Sequence, residues 1–521
     1  MEQSTRNGYF NWIAANETAC SEANLVIDAI NSQLAILLIV LPLMAAPTCV
    51  LLGNGRAAYW LALTVSIFAF ACSVTMLGET LESGVIHYDL GNWHPPYGIE
   101  YRVDVFSGFV LTFVSGIGAV VLMYAPLSVR DEIPASKHYL FYATYLLCLT
   151  GLLGMCVTGD LFNVFVFLEI SSLSSYALIS LGRTRRAPLA AFQYLILGSI
   201  GATFILIGIG LLYQMTGALN MAEIAARLPH EHGPRTVLVA FAFLTVGLCI
   251  KMAVLPLHTW LPNAYTYAPS VVTCFIAATS TKVSVYVFIR LIYGIITPGF
   301  AFVFLPLDTE LMLFSLVGIF IASTAAIFQD NVKRLLAYSS IAQVGYMLLG
   351  VSLVTPTGLS GGIVHMFNHA LIKGGLFMVV GCFVLRLGSV RLSDWQGAGR
   401  TMPWTATAWV IGGLGLIGVP LTAGFISKWL LLTSIIEAGR WPIAVLMLVS
   451  SLLAVAYVWR VVETLFFAEP SEAAAMATEA PLRMLIPTYL LIGGTLVFGV
   501  WTPYSAGIAR AAAIALLGET P

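Results

Sequence analysis

The chain has 521 residues, 59% of them hydrophobic and 9% charged, with a mean hydropathy of +0.91 and a formal net charge of -1. A soluble domain of this composition would present too little polar surface to water, so 1–521 is expected to be one polytopic helical membrane domain. The near-neutral balance supplies no field for nucleic acid, and no nucleic-acid partner is expected.

Residues 1–31 form a polar N-terminal segment. It lacks a basic start and an apolar core, so no cleavable signal is expected. It contains Cys20 and the triplet Asn16-Glu17-Thr18, a glycosylation-type pattern common by chance. About fourteen stretches then reach the roughly 20 apolar residues that a membrane crossing needs. They are 32–53, 57–77, 104–127, 138–158, 160–182, 190–214, 235–258, 268–292, 311–328, 334–353, 361–386, 403–434, 442–466 and 484–503. Arg130 and Lys137 follow the third span, Arg183, Arg185 and Arg186 the fifth, Lys333 and Arg334 the ninth, Arg391 and Arg400 the eleventh. Alternate loops are acidic: Glu79, Glu82, Asp89 and Glu100 after the second span, Asp308 and Glu310 after the eighth. The positive-inside rule makes the basic loops cytoplasmic and places both termini outside.

Two spans carry internal breaks. Pro256 lies five residues after Lys251, and Gly418, Pro420 and Gly424 precede Lys428. Proline removes a backbone donor and clashes with the preceding turn. In a bilayer such a break persists only where protein or water satisfies the freed groups. Paired broken helices point to an ion pathway between inverted repeats. Two inverted five-helix repeats, roughly 138–292 and 311–466, each with one broken helix, are therefore expected.

The chemistry resides in single charges within apolar runs. A charge at membrane depth costs about 2.5–3.5 kcal/mol on insertion scales, so it is functional by default. Glu169 follows Phe162-Asn-Val-Phe-Val-Phe-Leu; a structural ion pair is the alternative role. Lys251 ends an apolar run just before the proline, with snorkelling to the interface as its alternative. An amine that changes charge near neutral pH can store and pass a proton. Lys282 and Lys428 are each either proton carriers or fixed charges that tune a neighbour. His365, His369 and Lys373, spaced by four, form one helical stripe able to bridge the two breaks. A metal site there lacks a third ligand nearby in sequence, so no metal is expected. His258, Asp104 and Lys333 are further candidates. Asp104 also suits a helix cap, and Lys333 with Arg334 also suits the inside rule. Arg290 and Arg460, near span ends, are expected to snorkel. His230-Glu-His232 is a weak loop pair. The cysteines in apolar stretches read as small core residues, without CxxC spacing for a cluster or zinc. No cofactor is expected.

At these residues the chain resembles proton-conducting antiporter-like membrane subunits. That family includes the D-type member of Mrp sodium/proton antiporters and the three large membrane subunits of respiratory complex I. The stretches that carry the resemblance are Phe165-Val-Phe-Leu-Glu169, Lys251-Met-Ala-Val-Leu-Pro-Leu-His258-Thr-Trp-Leu-Pro262-Asn-Ala, Ala268-Pro269-Ser270, Lys282-Val-Ser-Val-Tyr286, Asp330-Asn-Val-Lys333-Arg-Leu-Leu-Ala-Tyr-Ser-Ser340, His365-Met-Phe-Asn-His369-Ala-Leu-Ile-Lys373 and Gly418-Val-Pro-Leu-Thr-Ala-Gly-Phe-Ile-Ser-Lys428. The resemblance implies that Glu169 pairs with Lys251, that Lys282 links two half-channels, and that Lys428 is the terminal carrier. Gln193 stands where many relatives carry lysine. No long lateral helix follows the fourteenth span, unlike one complex I subunit.

The expected function is proton conduction in a multisubunit monovalent cation/proton antiporter, most like the D-type member of Mrp complexes. Its partners would be other membrane subunits, protons, Na+ or K+, and the lipid bilayer of the cell inner (plasma) membrane. The alternative is a membrane subunit of a complex I-like NADH dehydrogenase or a membrane-bound hydrogenase, with the redox chemistry in partner subunits. An unrelated solute transporter is disfavoured by the lysine axis.

Overall fold

The computed structural model describes residues 33–228, 235–296 and 298–518. Cys20, the Asn16 triplet, the signal-peptide expectation and the His230–His232 pair lie outside them. The main helices are α1 (Leu34–Leu52), α2 (Gly55–Glu82), α3 (Val105–Glu132), α4 (His138–Val157), α5 (Leu161–Ser180), α6 (Arg186–Thr216), α7 (Arg235–Met252), α8 (Trp260–Tyr267), α9 (Ser270–Ala278), α10 (Ser280–Ile289), α11 (Leu307–Ile327), α12 (Val332–Ser352), α13 (Pro356–Leu387), α14 (Pro403–Ile417), α15 (Ala423–Glu437), α16 (Trp441–Phe466), α17 (Leu482–Val500) and α18 (Thr502–Leu517). Thirteen helical stretches among the described residues, with α9 and α10 taken together as one, are long and apolar enough to cross a membrane. The broken pair α14/α15 supplies the crossing expected at 403–434. The protein is thus an all-α, multi-pass membrane protein. A two-stranded hairpin, β1 (Ile86–Asp89) and β2 (Glu100–Val103), caps the end of the bundle that loop charge assigns to the outside.

Helix α13 is the central staff, buried from Gly358 to Phe383, and α9, α12, α14, α15, α17 and α18 pack around it. Small residues set the closest approaches. A Cβ on Gly151 of α4 would lie 2.5 Å from the Ser171 nitrogen and 2.6 Å from the Phe167 oxygen of α5, which are backbone atoms that cannot yield. The same closeness holds α5, and therefore Glu169, against α4.

Both expected breaks are present, each with a non-glycine residue in the left-handed region: Ala253 at φ 59° and Leu421 at φ 73°. Such a conformation costs of order 1–3 kcal/mol and persists only where the surroundings impose it. Three features differ from expectation. The first break is followed by a second half-helix, α8, which polar Asn263, Thr266 and flanking tyrosines disguise in the sequence as a loop. The span after it is also divided: Thr279, at φ -119° and ψ -58°, separates α9 from α10 without proline or glycine. Beyond the last expected span, Trp501 turns the chain into α18, which packs on α13 and α3.

Two isolated bridges recur at one sequence offset. Asp160, which caps α5, pairs with Asn220; Asn331, which caps α12, pairs with Arg391. The flanking amides repeat as well: Leu161 and Met221 bond to Leu219 and Gly159, as Val332 and Leu392 bond to Val390 and Asp330.

Candidate functional site

A fully hydrogen-bonded helix has no spare acceptors, but a broken one presents free carbonyls at its C-terminal end, where the dipole is negative. Three buried lysines, Lys251, Lys282 and Lys428, lie in or against such ends. Lys428 Nζ donates to the Ile417 oxygen at 2.7 Å and the Leu416 oxygen at 3.4 Å, the last carbonyls of α14, and to Ser451 Oγ at 3.2 Å. It also lies 4.8 Å above the Tyr346 ring, a cation–π contact. Lys282, with no exposed surface, donates to the Ala277 oxygen at the end of α9 and to Thr281 Oγ at 3.3 Å. Lys251 lies in the last turn of α7 and donates to Ser172 Oγ at 2.9 Å. The Thr279 break therefore has a local consequence: it frees the carbonyl that receives Lys282.

Glu169 faces Lys251, with Oε1 3.6 Å from Nζ. That oxygen is buried and accepts no hydrogen bond, although the Glu169 side chain as a whole is 27% exposed. The contact is thus a charge pair without a geometric lock, and Lys251 is not snorkelling.

The histidine stripe lies along α13. His365 bridges Gln343 Oε1 and Ser427 Oγ, both at 2.9 Å, and Ser427 adjoins Lys428 in the chain. The His369 ring is parallel to that of His365 at 6.2 Å, and both its nitrogens are buried without a hydrogen-bond partner. Lys373 donates to the Leu336 oxygen at 2.8 Å and contacts Ser339 Oγ. Lys251, Lys282, His365, His369, Lys373 and Lys428 are thus all buried, with Glu169, partly exposed, beside Lys251.

The further candidates lie apart from it. His258 sits half-buried in the first break, its ring edge-on to Tyr338 at 6.4 Å. Asp104 caps α3, accepting the Ser107 amide at 2.9 Å, and contacts the Arg290 guanidinium. Burial alone would raise its carboxyl, but the adjacent Arg290 charge and hydrogen bonds hold it down at about 2. Arg290 turns inward to Asp104, Ser107 and Tyr286 rather than snorkelling, because an ion pair and hydroxyls satisfy it there. Arg460 pairs with Asp330 at 2.5 Å. Lys333 is buried, not at the interface: it donates to the Ala268 oxygen beyond α8 at 3.0 Å and lies 3.9 Å from Glu132. Gln193 accepts from Asn263 of α8 at 2.8 Å, a polar tie where a charge is absent. Glu132, Ser172, Gln343 and Ser427 carry no sequence signal of their own; only tertiary proximity reveals them. Among the described residues no group of three or more His, Cys, Asp or Glu side chains could hold a metal, and the cysteines there are free.

The family pattern described as NADH:quinone oxidoreductase/Mrp antiporter, transmembrane, matches residues 158–454. The N-type component of the NADH-quinone oxidoreductase of Desulforudis audaxviator is 40% identical over 488 residues, covering 90% of this chain and 96% of that protein. The D-type component of the Na(+)/H(+) antiporter of Alkalihalophilus pseudofirmus is 28% identical over 474 residues, covering 90% and 94%. A chain of the Mrp complex from Dietzia sp. superposes with a TM-score of 0.85 at 26% identity, covering 94% of this chain and 98% of that one. A chain of the membrane-bound sulfane sulfur reductase, an archaeal respiratory membrane complex, does so with 0.85 at 32% identity and the same coverage. The order of the lysines, the two breaks and these likenesses agree, and the chain belongs to the NADH:quinone oxidoreductase/Mrp antiporter family of membrane proteins.

Proposed function

We propose that the chain is the proton-conducting subunit of a multisubunit monovalent cation/proton antiporter, similar to the D-type component of Mrp complexes. The observation that carries this is the buried series of lysines, three of them in or against the C-terminal turn of a half-helix. Each ammonium is held by neutral carbonyls and hydroxyls rather than by a fixed counter-ion, Glu169 excepted. Losing a proton there leaves a neutral amine whose surroundings need not reorganise. A proton entering at Lys251 changes its pairing with Glu169, passes to Lys282, and continues through His369, Lys373 and His365 to Lys428. The recurring bridges at Asp160–Asn220 and Asn331–Arg391 support a pair of inverted repeats, roughly 138–292 and 311–466. Lys282 then lies where the two halves meet. Asp104, held ionised by Arg290, and Lys333, held by Ala268, serve as fixed charges. The cell inner membrane is the proposed location, with other membrane subunits as partners.

A second reading has one specific observation in its favour, the 40% identity to the N-type component of an NADH-quinone oxidoreductase. On that reading electron transfer in partner subunits drives the same proton series. Purification of the intact complex and its reconstitution into vesicles separate the two. An imposed Na+ or K+ gradient is expected to drive proton movement without any electron donor. Flavin and iron–sulfur subunits in the complex, with proton movement only on addition of a reductant, would replace the antiporter with the redox complex.

A further inference from the structure

Two cavities lie in the first half of the bundle, and they share a wall. The inner one, about 10 Å3 and so room for about one water, is lined by Lys251 and by serines of α5 and α10, including Ser172, Ser280 and Ser284. The outer one, about 60 Å3, lies at the hairpin end, where Glu100, Asp104, Asn220 and Arg290 line its polar part. Met155 of α4 and Leu168 of α5 line both cavities. They are 3% and 2% exposed, and Leu168 directly precedes Glu169.

An apolar constriction between two polar spaces blocks water by dewetting and opens when its side chains part by the width of a water molecule. Methionine, unbranched and flexible, is suited to such a position. The α5 segment that carries Leu168 also carries the carboxylate whose pairing with Lys251 changes with protonation. The cap of α5, Asp160, adjoins Asn220, which donates to Glu100 Oε2 at 3.0 Å at the edge of the outer cavity. Leu168 and Glu169 thus lie on the same helix, side by side in the chain.

We propose that Met155 and Leu168 form a gate in a second, outward route, by which Lys251 exchanges a proton with the outer face without passing through Lys282 or Lys428. When the gate opens, the Lys251 N–H bond breaks, a water of the outer cavity takes the proton as hydronium, and the neutral amine remains. The inference rests on Lys251 being a proton carrier, as proposed above.

The test uses the intact complex in right-side-out and inside-out vesicles. Ile205, which lines the outer cavity, is replaced by cysteine in an otherwise unaltered chain. A small membrane-impermeant methanethiosulfonate cation is expected to modify Ile205→Cys about ten-fold faster from the outer face than from the inner. In a second variant, Leu168→Ala is expected to raise the passive proton leak of de-energised vesicles by about ten-fold. That leak should vanish in the Leu168→Ala, Lys251→Met double variant. Modification of Ile205→Cys no faster from the outer face overturns the proposal, and so does a wild-type leak in assembled Leu168→Ala complex. If Leu168→Ala fails to assemble, the labelling experiment decides alone. Failure of the underlying function is seen separately, as full transport by a Glu169→Gln complex.

Discussion

Glu169→Gln removes one charge while keeping the shape of the side chain. At 3.6 Å and an effective dielectric of about 20, the Glu169–Lys251 attraction is about 4–5 kcal/mol. Glu169 is 27% exposed, so screening reduces this, and about 2 kcal/mol is a conservative floor. If the protonated state of Lys251 is an obligatory intermediate, its loss of stabilisation enters the barrier directly. At 1.36 kcal/mol per factor of ten, transport should fall by at least roughly 30-fold and by as much as roughly 2000-fold. The assay is proton flux in everted vesicles, normalised to assembled complex on a native gel. Glu169→Asp, which keeps the charge on a shorter arm, should retain more flux than the glutamine variant. Flux within about three-fold of wild type in Glu169→Gln, at equal assembly, would refute the claim that this pair gates the proton.

Lys251→Arg and Lys428→Arg should each lose most of the flux, because a guanidinium does not release its proton at any working pH; near-wild-type flux in either would make that lysine a fixed charge. Lys282→His should keep part of the transport with its optimum moved to lower pH, since histidine titrates near about 6.5, whereas Lys282→Ala should lose most; equal flux in the two variants would remove Lys282 from the relay. The Asp104 carboxyl, held down at about 2, lies below its ordinary value, so the stability it contributes is complete above about pH 4 and is lost as pH falls through about 2. Asp104→Asn should therefore lower the unfolding temperature of the complex by the same amount throughout the neutral range, and a difference that fades between about pH 8 and pH 6 would contradict the fixed-charge assignment.

The candidate charges were legible in the sequence because an apolar helix makes a lone charge conspicuous. The breaks at Pro256 and Pro420 were legible for the same reason, although Pro42, Pro47, Pro126 and Pro487 lie inside continuous helices. Proline at these positions announces only that a break is permitted. The Thr279 break has no sequence mark at all, because ordinary helix-compatible residues are held there by packing and by Lys282 on the freed carbonyl. Arg290 departs from its expected place because it stands near a span end, and sequence position alone does not tell a side chain that reaches water from one that finds Asp104 or Tyr286 inside the bundle. The half-helix α8 and the terminal α18 escape notice in the sequence because neither is a long apolar run.

The seating of lysines on half-helix carbonyls also determines which ions can use the corridor. An alkali cation moving through it would need those same carbonyls for its own shell, but ammonium groups already occupy them and repel a second positive charge. A proton faces neither obstacle, since it travels by remaking N–H and O–H bonds at groups already in place. On the proposed relay the corridor thus filters by prior occupancy while its lysines are charged, and any Na+ or K+ moved by the complex would cross the membrane along a different path.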